Sequence, residues 1–175
     1  MRTILLALAI GAVLGNSSLL GEDRIQVEGT KVSFLAPAGF KPVAKDVIAT
    51  KWPKSQAPRF VIGNESATTT IAYDLKPNKV SPDKFAELQT VFKKVMGQSV
   101  PGIDWKKNEV IEIGGKKWIY MEMTSAALDT NIYNIMLISD WDGKMLIFNF
   151  NSTKEDFEKY EKELRASVQS MRIDS

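Results

Sequence analysis

The chain has 175 residues, 44% of them hydrophobic and 25% charged, with 23 basic residues set against 21 acidic ones. That is the size and balance of one domain with a packed core. It excludes wholesale disorder and the basic stripe of a nucleic-acid protein. There is no Cys and no His, which excludes disulfides, thiolate nucleophiles, Ser-His and Cys-His triads and the usual zinc sites. Acid–base catalysis would have to rest on Asp/Glu pairs, Lys or Tyr.

The N-terminus reads as an address. Arg2 supplies a positive start, residues 3–14 are apolar, and Gly15-Asn16-Ser17-Ser18 is a small, polar exit. These are the three regions of a secretory signal peptide. The apolar run falls short of the roughly 20 residues that span a membrane comfortably. We expect a leader over residues 1–17, with cleavage near Gly15 or Ser17, and one domain over 22–175 with no integral membrane span. Export without Cys suits a bacterial periplasm or cell exterior.

Residues 22–27 form a polar lead-in. The alternation around Val32 and Phe34 predicts a strand over 30–35, ended by the turn Ala36-Pro37-Ala38-Gly39. Ala44, Val47 and Ile48 have helical spacing after Pro42, giving one short helix. A loop follows at 53–58, then strands at 59–64 and 68–75. Ser81-Pro82 is a helix start, with Pro where its missing N–H costs nothing. Phe85, Leu88, Phe92 and Val95 make that helix's apolar face, and Gly97 stops it. Residues 99–105 read as a loop and 108–113 as a strand. Gly114-Gly115 is a two-residue hairpin turn leading into a strand at 116–123. After an irregular bridge, a strand at 131–140 turns at Asp142-Gly143 into another at 144–150. These last two are apolar on both faces, as strands in the middle of a covered sheet are. Asn151-Ser152-Thr153 then caps a helix with Asp156 at its third position, and the helix's stripe is Phe157, Tyr160, Leu164, Val168 and Met171. The predicted fold is α+β: a three-layer α-β-α sandwich with a central, mostly antiparallel sheet of about six strands and helices on both faces.

Five segments together resemble a known family. They are Lys51-Trp52-Pro53, the run 60–65 (FVIGNE), Gly114-Gly115 with 116–120 (KKWIY), the run 129–134 (DTNIYN), and Asp142-Gly143 with 144–151 (KMLIFNFN). The chain is similar over roughly 32–173 to the PsbP-like proteins, which share a fold with the Mog-type Ran-binding proteins and the DcrB-type bacterial envelope proteins. The resemblance implies an α-β-α sandwich around an antiparallel sheet and a protein that binds other proteins. It carries no catalytic residue onto this chain. The photosystem members use His among their metal contacts, and this chain has none.

Candidate sites are few. Asp140, Asp142 and Asn134 offer oxygen atoms to calcium, but without the ladder of a calcium loop, and they read as a solvated turn. Glu109 and Glu112 are three apart in a strand and so face opposite sides, which rules them out as an acid–base pair. Lys106-Lys107 and Lys116-Lys117 read as solvated strand edges. Trp105 and Trp141, each beside an Asp, and Trp52 are the candidate partner-binding residues; the alternative for each is to close an edge of the core. The loops 53–58 and 99–105 are further contact surfaces. The functional expectation is an exported, non-enzymatic binding or adaptor protein of the bacterial envelope, with a protein partner and no cofactor or metal. The alternative is a carrier of a small apolar ligand between sheet and helix, lined by Met121, Met123, Met136 and Met145.

Overall fold

The computed structural model describes residues 19–52, 57–127 and 130–175. The expected leader at 1–17 and most of the 53–58 loop lie outside them. Within them the chain runs β1 (Leu20–Gln26), β2 (Val32–Pro37), β3 (Lys41–Pro42), α1 (Lys45–Lys51), β4 (Phe60–Gly63) and β5 (Thr69–Lys79). It continues through α2 (Phe85–Ser99), β6 (Asp104–Ile113), β7 (Lys116–Ala126), β8 (Asn131–Trp141), β9 (Lys144–Thr153), α3 (Lys154–Gln169) and β10 (Arg172–Ile173). The central sheet has seven strands in the order β3-β4-β5-β9-β8-β7-β6, every neighbour antiparallel. This is the expected α+β sandwich, with one strand more than predicted and a second, three-stranded sheet, β1-β2-β10, that was not predicted.

The register follows from turn chemistry. Asp142 and Gly143 have φ of +49° and +73°, and Gly114 and Gly115 have +59° and +75°. Positive φ at both central residues gives a turn whose twist matches the strands it joins. The turns set Trp141 opposite Lys144 and Ile113 opposite Lys116, and alternation then sends Leu146, Phe148 and Phe150 to one face of the sheet.

That face carries the main core. Phe148, fully buried, has the rings of Phe34, Tyr73, Trp118 and Phe150 around it with centroids 5.5 to 6.3 Å away. The three-stranded sheet and α3 cover it, α3 through Phe157, Leu164 and Val168. The predicted α3 cap is present: Thr153 Oγ1 accepts the Asp156 N–H at 3.2 Å. Arg24 fastens the small sheet to the end of α3. Its guanidinium donates to Ser33 Oγ at 2.9 Å and to the Ser170 carbonyl at 2.5 Å. The residues read as a polar lead-in therefore make β1, held by pairing with β2 and by this arginine.

Among the described residues, α2 packs on the opposite face, and here the sequence reading needs correction. The helix does not stop at Gly97 but continues to Ser99, and its inward edge is Phe85, Leu88, Phe92 and Met96. Val95 is 51% exposed, because a 3.6-residue period carries the face from position 92 to 96. Ser81 makes no cap bond to the backbone, and its hydroxyl donates to Asp83 instead. Pro82–Lys84 form a 3-10 turn before the helix. Trp105, read as the end of the 99–105 loop, lies in β6, while Trp141 ends β8 beside the Asp142-Gly143 turn.

Candidate functional site

Two polar arrangements stand out, one inside the fold and one at its surface. The inner one joins sheet to helix. Strand β7 alternates Trp118, Tyr120 and Glu122 toward the α3 side, so a carboxylate enters the core on an aromatic face. Glu122 is 2% exposed. It accepts hydrogen bonds from Tyr120 Oη at 2.7 Å, from Tyr133 Oη, and from both Arg165 Nη atoms, at 2.6 and 3.2 Å. Arg165 also donates to Glu161 one turn earlier at 2.8 Å. Tyr133 stacks on Phe157 of α3 with centroids 3.6 Å apart.

Burial would push the Glu122 carboxyl up. Hydrogen bonds from Arg165, Tyr133 and Tyr120 outweigh it and hold the group at about 2. Burial and the bond to Glu122 push Tyr133 up to about 12 and raise Tyr120 further. Arg165 is raised by its bond to Glu122. No group in this cluster exchanges a proton near neutral pH, and every lone pair that faces in is taken. The cluster is a clamp that fixes α3 on the sheet, with no poised acid or base. The only sign of it in the sequence is that Glu122 falls in step with Trp118 and Tyr120.

The surface arrangement is the half of the second face that α2 leaves open. Under α2 lie Ile119, Met121 and Ile138. Beyond it, the floor passes to Met136 and Asn134 of β8, Ile147 and Asn149 of β9, and Ala72 and Asp74 of β5. Met96 and Val100 at the end of α2 form one wall, and Trp52 and Pro58 the other, around a chamber of about 430 Å³. A second recess of about 730 Å³ continues along β8 and β9, between Lys51 of α1, Thr68, Ala127 and Asn151. Trp52 borders both.

The polar floor is largely satisfied. Asn151 Nδ2 donates to Asn134 Oδ1 at 2.8 Å, and Asn134 Nδ2 donates to Ser125 Oγ at 3.2 Å. Asp74 is paired with Lys76 at 2.5 Å. Lys51 donates to the Ala67 carbonyl and lies 5.7 Å from the centre of the Trp52 ring; burial lowers its pKa. Asn149 Oδ1 is sealed from solvent and has no partner.

The three predicted tryptophans are not brought together. Trp105 pairs opposite Met123 and packs beside α2, with the Lys93 ammonium 5.9 Å from its ring. Trp141 packs against the main core, with Lys116 5.6 Å away. Trp52 alone borders the recesses. Of the four predicted methionines, Met123 and Met136 line the chamber, while Met121 is fully buried and Met145 packs with the α2 cluster. Met96, which the sequence reading passed over, lines it too. Asn134, Asp140 and Asp142 do not converge: Asp140 pairs with Lys116 at 3.0 Å while Asn134 bonds Ser125 and Asn151. Among the described residues no group of three His, Cys, Asp or Glu is placed to hold a metal ion. No helix among them is long and apolar enough to cross a membrane.

No family model matches the sequence, and no curated protein matches it. Solved structures do. Cyanobacterial PsbP from Synechocystis superposes with a TM-score of 0.60 at 14% identity, over 94% of this chain and 99% of that one. LpqN, described as involved in cell envelope biogenesis of Mycobacterium tuberculosis, gives 0.58 at 10% identity, over 90% and 93%. A Mog1 structure gives 0.54 at 11% identity, over 86% and 95%. The chain has the fold of PsbP and Mog1, as the resemblance implied.

Proposed function

We propose that this chain is an exported, non-enzymatic binding protein of a bacterial envelope, and that it holds a protein partner on the open half of its central sheet. The observation that carries the reading is the uneven cover of the second face. One half is packed under α2, and the other is left as two adjoining recesses with Trp52 between them. A half-buried tryptophan flanked by hollows is a favourable anchor, because it offers a large apolar area at little cost in side-chain entropy. The saturation of Glu122 supports the non-enzymatic part, since the most buried carboxylate here is committed to structure. The leader pattern at 1–17 and the likeness in fold to an envelope-biogenesis protein support export.

The test is capture of the tagged chain from gently crosslinked cells, comparing wild type with Trp52→Ala and Trp141→Ala. The reading expects one envelope protein that is lost with Trp52→Ala and kept with Trp141→Ala. Capture unaffected by Trp52→Ala, or a chain retained in the cytosol, contradicts it.

A further inference from the structure

We propose that the partner's contact is a single amphipathic helix, laid beside α2 over β9, with acidic residues at the end that meets Lys79, Lys84 and Lys144. This rests on the open-face reading above and adds the shape and charge of what fills that face.

The helix α2 is apolar over more of its circumference than the sheet covers. Phe85, Leu88, Phe92 and Met96 pack inward. On the flank toward β6, Gln89 donates to the Asn108 carbonyl and Lys93 lies 5.9 Å from the Trp105 ring. At 3.6 residues per turn, the other flank carries Leu88, Val91 and Val95. Val91 is 47% exposed and Val95 51%. A lone exposed valine needs no explanation. These two are one turn apart, beside Leu88, on the side where the sheet is open.

The space along that flank is one helix wide. α2 packs on Ile119, Met121 and Met123 of β7 and on Ile138 of β8. Two strand spacings of about 4.8 Å separate β7 from β9, and packed helices lie about 8–10 Å apart. A second helix beside α2 is therefore seated over β9, where Met145 and Ile147 are partly buried. From Leu88, at the edge of one recess, to Val100, at the edge of the next, the flank is about 18 Å long, about three helical turns. An extended peptide fits less well. Strands β5, β9 and β8 lie inside the sheet and bond their backbone groups to one another. A strand laid over them finds no edge to pair with, whereas a helix satisfies its own backbone.

Charge marks one end of the groove. Near the start of α2, a recess of about 770 Å³ is lined by Lys79, Lys84 and Lys144 together with Val80 and Leu88. Lys79 stands opposite Lys144 in the register, like charge against like. Among the described residues neither lysine is in an ion pair, and Lys84 reaches Glu87 at 3.9 Å. Glu87 and Asp142 are the carboxylates of the lining, so the cations outnumber them. At the other end Asp74 and Lys76 neutralise each other at 2.5 Å. Acidic residues on the incoming helix therefore belong at the Lys84 end.

The test is photo-crosslinking in the source cells from a benzophenone amino acid placed at Val91, at Val95 and at Trp52, with the crosslinked peptides sequenced by mass spectrometry. Positions 91 and 95 should label one partner segment, at residues three or four apart. Made as a peptide, that segment should gain helix content by circular dichroism on binding the purified chain. Val95→Asp should weaken its binding about tenfold, and so should Lys79→Glu combined with Lys144→Glu. All three positions are exposed, so these variants keep the fold. Labelling from Trp52 but from neither valine, a bound segment that gains no helix, or binding unchanged by the lysine reversals would overturn this proposal and leave the open-face reading standing. No labelling from any of the three positions would overturn both.

Discussion

Replacing Arg165 with Met should reveal how strongly the inner clamp holds the fold. Methionine keeps most of the length of the arginine stem and removes the charge, so Glu122 is left 2% exposed with two tyrosine hydroxyls as its donors. The cost can be reached two ways. A carboxyl held at about 2 where its ordinary value is 4.5 corresponds to about 3.5 kcal/mol of stability at neutral pH, at about 1.4 kcal/mol per pH unit, for the Arg165 and tyrosine bonds together, which bounds the arginine's share from above. Breaking a buried ion pair by removing one partner costs roughly 3–5 kcal/mol. Arg165 is itself 36% exposed at the side chain, so water screens the pair and the lower end, about 3 kcal/mol, is expected. The sign fixes the pH window. Glu122 is depressed in the folded state, so its contribution is complete above its ordinary value of 4.5 and is lost as pH falls toward 2. Urea unfolding at pH 7 should therefore show Arg165→Met less stable by about 3 kcal/mol, with the gap closing as pH falls toward 2. Glu122→Gln in the Arg165→Met background should recover part of the loss, because it removes the stranded charge. A loss below about 1 kcal/mol at pH 7, or a gap that does not change with pH, would refute the clamp.

Four further substitutions probe how the fold is fixed. Gly114→Ala should cost clearly more than Gly115→Ala. Both glycines have positive φ, but a Cβ at 114 would lie 2.3 Å from the Met171 carbonyl oxygen, while at 115 it would meet nothing within 4 Å; we expect about 3 kcal/mol or more against about 1, by thermal or urea unfolding. Thr153→Ala removes the α3 cap and should lower stability by about 1 kcal/mol. Phe148→Ala opens the centre of the aromatic cluster and should cost about 3–5 kcal/mol; a loss near 1 would mean that the surrounding rings collapse into the space.

What the sequence made readable was local. Gly114-Gly115 and Asp142-Gly143 declare their hairpins because few other residue pairs take positive φ twice in succession. Thr153, Asp156 and the Phe157–Leu164–Val168 stripe declare α3 by cap and period. The hidden parts depend on distant segments. Strand β1 is polar and exists through its pairing with β2 and through Arg24 reaching Ser170, 146 residues away. The clamp joins positions 122 and 165, and neither position predicts the other. The open half-face was hidden for a similar reason. Alternation says which residues of β8 and β9 share a face, but not that α2 stops short of Asn149. The same limit made Val95 look like core when Met96 takes its place. Trp52, Trp105 and Trp141 look equivalent as letters, and only the packing separates the one that borders the recesses from the two that close edges of the core.

Site-specific photo-crosslinking in the source cells tests the central claim most directly. A benzophenone amino acid would replace Trp52 in one strain and Glu158, on the exposed side of α3, in another. The open-face account predicts one discrete crosslinked protein from position 52 and none from position 158. Crosslinking from 158 alone, or the same products from both, would contradict a partner seated on the open half of the sheet.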